Sequence, residues 1–329
     1  MKAVVINEFG GPDVLETASI EEPTPGAHEV KIKIHVTGLN PNESYKINGS
    51  KDGGKGLDFP YVPGYDAAGL IEELGPEVSE LKVGDRVFLA GLTAKRNTGT
   101  YAEKVVADAD RVHRLPDNCS MMDGAALGIP AFTAYASLFQ RAKIRAGEYI
   151  LIHGASGAVG SLAIQMAKAI GAIVIGTSST EKGREQILEL GADYAMNHLT
   201  YENKYELTEY TEGNGPDVVI EMLANVNLEI DTQVIAEYGR IVVVGSRASI
   251  EITPRNLMGN EAYITAVNVS HMTKEARNEA FHGIVSFLEN EILKPLIGKK
   301  FTLDEPVEAH KELMEKPGNG RTVFAIIEE

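Results

Sequence analysis

Tyr149-Ile-Leu-Ile-His153-Gly154-Ala155-Ser156-Gly157-Ala158-Val159-Gly160 is an apolar run that passes through a Gly-rich turn straight into a small-residue helical pattern, Ser161-Leu-Ala-Ile-Gln-Met-Ala-Lys168. A bound pyrophosphate needs that order. The glycines let the backbone approach the phosphates, and the helix N-terminus offers unpaired N–H groups and the positive end of a dipole. As a dinucleotide fingerprint it reads Ala155-x-Gly157-x-x-Gly160, with Ala where the first Gly usually stands. Glycines at this spacing also serve ordinary strand-to-helix turns, so context decides. A second apolar strand, Ala172-Ile-Val-Ile-Gly176, follows at βαβ distance. The stretch reads as a nucleotide-binding unit of an α/β protein.

Outward from this unit, strand and helix alternate from about residue 122. A helix over 181–190 ends at Gly191, and a short strand follows near 194–197. Next come the strand Asp217-Val-Val-Ile-Glu-Met222, a helix near 228–238, and the strands Arg240–Gly245 and Tyr263–Val269. Near-continuous apolar strands in alternating βα units predict a parallel sheet covered on both faces. The first 120 residues are instead β-rich. Short runs such as Ala3–Ile6, Val30–Val36, Ala68–Glu72, Arg86–Ala90 and Tyr101–Val106 lie between Gly, Pro and Asp turns. Asn48–Gly56 is a polar, Gly-rich loop of the kind that often covers sites. The tail reads as a long helix (274–291), a strand near 299–303, a helix (305–315) and a last strand (321–327). Periodicity alone leaves the nucleotide module either inserted in the β-rich domain or attached at its C-terminal end.

Composition bounds the function. The chain has 329 residues and a net charge of −16, from 47 Asp+Glu against 31 Lys+Arg. That field repels phosphate backbones and anionic lipid, which argues against nucleic-acid and membrane-surface binding. No apolar run has the length of a membrane span, and the start of the chain is too weakly apolar for a signal peptide. With Cys119 the single cysteine, an internal disulfide and a Cys-rich zinc lobe are both excluded. A cytoplasmic protein is expected. The eight histidines form no H-x-x-x-H or similar cluster, so no metal is expected. Gly154-Ala-Ser156 begins like a nucleophile elbow, but Ala158 stands where the second Gly belongs. Ser156 is better placed to hydrogen-bond a phosphate.

The second strand of the unit ends in Thr177-Ser178-Ser179-Thr180. An NAD site usually carries Asp or Glu there for the ribose 2′-hydroxyl. Hydroxyls without a carboxylate leave room for a 2′-phosphate, with Lys182 and Arg184 as candidates for its countercharge. The expected cofactor is therefore NADPH. Thr180 also fits as the N-cap of the following helix, and the two readings do not conflict.

Pro63-Gly64-Tyr-Asp-Ala-Ala-Gly69, Val83-Gly-Asp-Arg-Val87, Gly99-Thr-Tyr-Ala-Glu103 and the turn His153–Gly160 together resemble the medium-chain dehydrogenase/reductases. The likeness runs nearly end to end. Within that superfamily, Gly38–Tyr45, Gly128–Tyr135, Ile220–Leu228 and Val244–Ile252 resemble the zinc-free quinone oxidoreductases. The resemblance implies a GroES-like catalytic domain from residues 1–121 and 270–329, and a Rossmann domain from 122–269. Asn40 stands where zinc-dependent relatives have a ligand Cys. Gly64-Tyr65-Asp66 stands where they have Gly-His-Glu.

Carried over by position, the resemblance implies that Asn40 and Tyr45 face the nicotinamide end, as candidates for orienting an acceptor oxygen, and that Thr133 approaches the nicotinamide. Ser156, Gly157, Ala158 and Val159 would hold the pyrophosphate. Ser179 and His198 would lie near the adenosine ribose and its 2′-phosphate, where the residue pattern already places Lys182. Asn227 and Val244-Gly245-Ser246-Arg247 would line the cofactor groove, and Val267-Asn268-Val269 would meet the carboxamide through backbone groups. Bland alternatives stand beside these: Tyr45 as a packing ring, Arg247 as a surface charge, Asn227 as the cap of a helix beginning at Leu228. Lys51 occupies the place of a substrate-loop Tyr in the relatives.

The expected function is metal-free reduction of quinones or related conjugated carbonyls by hydride or electron transfer from NADPH. An enone or alkenal reductase on the same scaffold is the alternative. The resemblance also implies single-stranded RNA recognition or a structural role, against which the acidic charge weighs. Apolar strands at one end of the sheet predict a homodimer through that edge, with further pairing to a tetramer left open.

Overall fold

The computed structural model describes residues 1–50, 57–91, 98–200, 205–315 and 319–327. The chain forms two compact units, Met1–Ile129 with Pro295–Glu329, and Pro130–Lys294. Both chain ends lie in the first unit, so the second is inserted.

The first unit holds the strands β1 (Lys2–Val5), β2 (Glu16–Ser19), β3 (Glu29–Gly38), β4 (Asp66–Leu74), β5 (Arg86–Leu89), β6 (Lys104–Asp108) and β7 (Val112–Arg114). The second holds β8 (Tyr149–Ile152), β9 (Ile173–Thr177), β10 (Tyr194–Met196), β11 (Val218–Glu221), β12 (Arg240–Val243) and β13 (Tyr263–Ala266). The chain returns to the first unit for β14 (Ile297–Phe301) and β15 (Arg321–Ala325). The helices are α1 (Pro41–Ile47), α2 (Met121–Tyr135), α3 (Ala158–Ala169), α4 (Glu181–Glu189), α5 (Tyr205–Tyr210), α6 (Ala224–Val234), α7 (Pro254–Asn260), α8 (Lys274–Glu289) and α9 (Pro306–Glu315).

In the second unit the strand order is β10-β9-β8-β11-β12-β13, with every neighbour parallel. This is the doubly wound order, and the chain reverses direction across the sheet between β8 and β11. Leu151, Ile175, Val219 and Ile241 are fully buried, as expected for strands covered on both faces. In the first unit, β14-β15-β3-β4-β5-β7 form one sheet with β6 also paired to β3, and β1 and β2 form a separate antiparallel pair. Its core gathers side chains from far apart in sequence, among them Val4, Leu39, Tyr101 and Phe324.

The units divide at 129/130 and 294/295, later along the chain than the 121/122 and 269/270 that the resemblance implies. The first division falls where α2 is broken. Gly128 takes φ 26° and ψ −138°, Pro130 follows it, and a Cβ at Gly128 would overlap the Asp66 carboxylate. At the second division, side-chain bonds hold 274–294 to the inserted unit. Gln140 Nε2 donates to the Ala276 carbonyl at 2.8 Å. Gln165 exchanges two bonds with the Lys294 backbone, at 2.8 and 3.0 Å.

The helix expected at 228–238 spans 224–234 instead. Glu221 accounts for the earlier start, because its carboxylate accepts the Leu223 N–H at the helix entry. Asn227 therefore sits inside the helix rather than capping it. The short helix α1 was not expected. Asn40 caps it, with Pro41 in its first turn and Glu43 completing a capping box.

Candidate active site

The quoted turn leaves the carboxyl end of β8. Gly154 takes φ 56°, and its N–H donates to Thr177 Oγ1 at 3.2 Å. The Ala155 N–H donates to the Thr177 carbonyl at 2.9 Å, pinning the turn to β9. Gly157 is the extended N-cap residue of α3, so the N–H groups of Ala158, Val159 and Gly160 are first-turn donors without intrahelical partners. A Cβ on Gly160 would come within 2.5 Å of Ala155 Cα, so glycine there permits the close approach of helix to strand. A Cβ on Gly157 would meet only the Gly154 carbonyl, at 3.2 Å. Chain neighbours aside, no other heavy atom lies within 4 Å of that position, so the face beyond Gly157 is open. Ser156 is buried, with Oγ donating to Ser178 Oγ at 3.2 Å.

Because all six strands are parallel, every segment that leaves a carboxyl end emerges on one edge of the sheet. Ser179 follows β9 and is exposed. Thr180 caps α4 by accepting the Gly183 N–H at 3.0 Å, Lys182 is exposed on the first turn, and Arg184 Nη1 donates to the Ser178 carbonyl at 3.4 Å. His198 follows β10 and is half-buried, with its pKa lowered by burial and by repulsion from His153. After β11 comes Asn227, whose Nδ2 donates to Glu221 Oε1 at 3.3 Å. After β12 come Val244, Gly245, Ser246 and Arg247. The Val244 N–H donates to the Glu221 carbonyl at 2.8 Å, and Gly245 accepts the Ala224 N–H at 2.9 Å. The Arg247 N–H donates to Asn225 Oδ1 at 2.8 Å, while its side chain is exposed. After β13 come Val267, Asn268 and Val269. The Val267 N–H is used by the Val243 carbonyl at 3.0 Å, and Asn268 Oδ1 accepts the Ser270 N–H at 3.1 Å. Thr133, on α2, is buried.

One feature under this edge has no counterpart in the spacing of histidines along the chain. His153, Glu221 and Asp231 converge from β8, β11 and α6, with donor and acceptor atoms within 4.8 Å of one another and all three side chains buried. No linear motif signals it, since the partners lie far apart in sequence.

In the first unit, the positions expected to face the acceptor fall into a second buried network. Asn40 is 3% exposed. Its Nδ2 donates to Glu43 Oε1 at 3.1 Å and Asp66 Oδ2 at 3.0 Å, and its Oδ1 accepts from Arg321 Nη1 at 2.7 Å. Both amide hydrogens and the oxygen are engaged inside the unit. Glu43 also accepts the Tyr101 hydroxyl and the Tyr65 N–H, the latter at 3.1 Å. Burial pushes the Glu43 carboxyl up to about 7. His310 Nε2 lies 3.2 Å from the Tyr101 hydroxyl and Nδ1 lies 3.1 Å from Ser44 Oγ, and burial lowers its pKa to about 4. Tyr101 gives its proton to Glu43, so a neutral His310 donates to Tyr101 and accepts from Ser44. Tyr45 is half-buried on α1, whose cap is this network. Lys51 lies outside the described residues.

Zinc does not fit at Asn40, Tyr65 and Asp66. A zinc site needs thiolate, imidazole or carboxylate ligands. Here the first position is an amide already engaged, and Asp66 is taken by Arg321 at 2.7 Å and by the N–H groups of Gly91 and Ile129 at 2.9 and 3.0 Å.

A doubly wound parallel sheet and a GroES-like β-unit in one chain define a class, the medium-chain dehydrogenase/reductases. Residues 26–117 match the alcohol dehydrogenase GroES-like domain, and residues 158–289 match the zinc-binding dehydrogenase domain. The chain is 42% identical over 323 residues to the human quinone oxidoreductase, covering 98% of this chain and 96% of that one. A Pseudomonas syringae quinone oxidoreductase structure matches with TM-score 0.89 and 27% identity, over 98% of this chain and 99% of that one. The Escherichia coli quinone oxidoreductase complexed with NADPH matches with TM-score 0.89 and 26% identity, over 99% and 100%. The chain belongs to the zinc-free quinone oxidoreductase family of the medium-chain dehydrogenase/reductases, and is an oxidoreductase. Among the described residues, no helix is long and apolar enough to cross a membrane.

Proposed function

We propose that this enzyme reduces quinones at the expense of NADPH without a metal. The observation that carries the proposal is the common carboxyl edge of the parallel sheet, which gathers the Gly154–Gly160 turn with Ser179, His198, Asn227, Val244–Arg247 and Val267–Val269. The α3 N-terminus and Ser156 would hold the pyrophosphate. Ser179 and Lys182, with hydroxyls and no carboxylate at Ser178–Thr180 directly after β9, favour a 2′-phosphate over a bare ribose. Bound there, the cofactor would supply the reducing equivalents, as a hydride or as electrons. Support for NADPH comes also from the Escherichia coli relative, crystallised with it.

In the first unit, Glu43, Asp66 and Arg321 hold Asn40 and with it the cap of α1. Tyr45 on that helix is the remaining candidate for donating a hydrogen bond to an acceptor oxygen. Catalysis on this reading is mainly positional, since holding donor and acceptor in contact can lower a barrier by several kcal/mol. A homodimer through β13 fits its place at the sheet edge, where Tyr263 is 49% exposed.

The test is steady-state turnover on matched panels of simple quinones and α,β-unsaturated aldehydes, with NADPH and with NADH, for the parent and Tyr45→Phe. Faster turnover of quinones with NADPH, reduced in Tyr45→Phe, supports the proposal. Preference for the enals moves the assignment to an alkenal reductase on the same scaffold. Kinetics of Tyr45→Phe equal to the parent would leave Tyr45 a packing residue.

A further inference from the structure

The His153–Glu221–Asp231 cluster lies directly beneath the proposed cofactor edge, and no step of the reaction uses it. His153 Nε2 is 3.0 Å from Asp231 Oδ1 and 3.4 Å from Glu221 Oε2. The three side chains are 2%, 0% and 0% exposed, so water screens none of these charges. Enclosing one imidazole and two carboxylates carries a desolvation cost that a packed apolar core of the same volume would not.

The cluster's bonds run to the groove. His153 immediately precedes Gly154, and its backbone N–H donates to the Ile220 carbonyl at 3.0 Å. Glu221 Oε1 accepts the Leu223 N–H and Asn227 Nδ2. The Glu221 carbonyl accepts the Val244 N–H at 2.8 Å, and Gly245 in turn accepts from Ala224. One residue thus ties the β11–α6 turn, Asn227 and the Val244–Gly245 segment together, while its carboxylate meets the imidazole beside the phosphate turn.

We infer that Glu221 is a positioning residue for cofactor binding, which with His153 and Asp231 sets the shape of the groove and through its charge tunes the affinity for the dinucleotide. This rests on the reading of the edge as an NADPH site. Burial pushes the Glu221 carboxyl up to about 7. Burial also opposes charge on His153, but the carboxylates of Asp231 and Glu221 outweigh it and raise its pKa. From the segment after β10, His198 faces His153, and its own pKa is lowered. A proton on Glu221 therefore balances the cluster. Its loss adds a buried negative charge against His153, the residue that leads into the turn proposed to receive the phosphates. Affinity for NADPH falls as pH rises through about 7.

NADPH binding to the intact protein, followed by its fluorescence from pH 6 to 8.5, tests this in the parent, Glu221→Gln and Glu221→Ala. Glu221→Gln keeps the shape and the acceptor oxygen but carries no charge, so the parent's decline near neutrality, about five-fold, is lost. Glu221→Ala removes the tie and raises Kd and KM for NADPH about ten-fold, with kcat moved much less. The His153 ring ¹⁵N resonances of the parent supply a readout that needs no variant. If proton and cofactor binding are linked, saturating NADPH moves their titration midpoint upward. Parent binding with an unmoved midpoint, and a Glu221→Gln profile equal to the parent's, would overturn the inference alone. A parent that binds no NADPH would overturn the cofactor assignment, and this inference with it.

Discussion

Arg321 on β15 donates to the Asp66 carboxylate on β4 at 2.7 Å, with the two side chains 2% and 0% exposed. The bond joins segments 255 residues apart. Both partners have further bonds, Arg321 to Asn40 and Asp66 to Asn40, Gly91 and Ile129. Such a pair is stable because every oxygen and most donors are satisfied together. Removing one partner strands the other's charge in a dry interior. Arg321→Met is expected to cost about 3–5 kcal/mol of stability, read as a lower denaturant midpoint. Arg321→Met with Asp66→Asn should recover part of that loss, because the stranded carboxylate is then neutral.

Two groups in the same network give opposite pH dependences. His310 has a folded pKa of about 4 against 6.5 for the free side chain. The unfolded chain binds the extra proton, so the stability His310 contributes is present above 6.5 and is lost as pH falls toward 4. Glu43 has a folded pKa of about 7 against 4.5. Its contribution is present below 4.5 and is lost as pH rises through about 7. Each amounts to about 3 kcal/mol, and between pH 4.5 and 6.5 they nearly cancel. His310→Gln should therefore become less stable as pH rises across this window, and Glu43→Gln more stable. Equilibrium unfolding at pH 5 and 6.5 reads the two slopes.

Gly157 separates binding from folding. A Cβ there meets only the Gly154 carbonyl at 3.2 Å, and the residue is in extended backbone that any side chain adopts. Gly157→Val should fold with stability within about 1 kcal/mol of the parent and bind NADPH at least about ten-fold more weakly, since the isopropyl group fills the phosphate face. Gly160→Val, aimed at Ala155, should instead lower the melting temperature.

The 2′-phosphate assignment is tested at Lys182. The side chain is exposed, so Lys182→Ala should leave stability unchanged. The ratio of NADPH to NADH affinity should fall by about three- to ten-fold, the contribution of one solvent-accessible cation to a phosphate. Isothermal titration with each cofactor measures the ratio.

Much of the inserted unit was legible in the sequence because its signals are local. The apolar run 149–152, the glycine turn and the periodic helix after it each declare themselves within a few residues, and Thr180 caps its helix as its position predicts. The misreadings come from side-chain bonds, one of them local and the others long-range. The helix at 224–234 starts early because Glu221 supplies its entry bond. The second boundary lies near Lys294 because Gln165, far upstream, binds it. Asn40 reads as a free amide in sequence, whereas Arg321 and Asp66 claim it in the fold. Spacing cannot reveal His153 with Glu221 and Asp231, since only the parallel sheet brings them together.

Metal-free, NADPH-dependent reduction is tested most directly by following NADPH oxidation with a simple quinone in the presence of a strong chelator, after exhaustive dialysis against it. Asn40, Tyr65 and an Arg-bound Asp66 offer no zinc site, so the rate should equal that of untreated enzyme. Loss of activity on chelation, restored by added zinc, would contradict it.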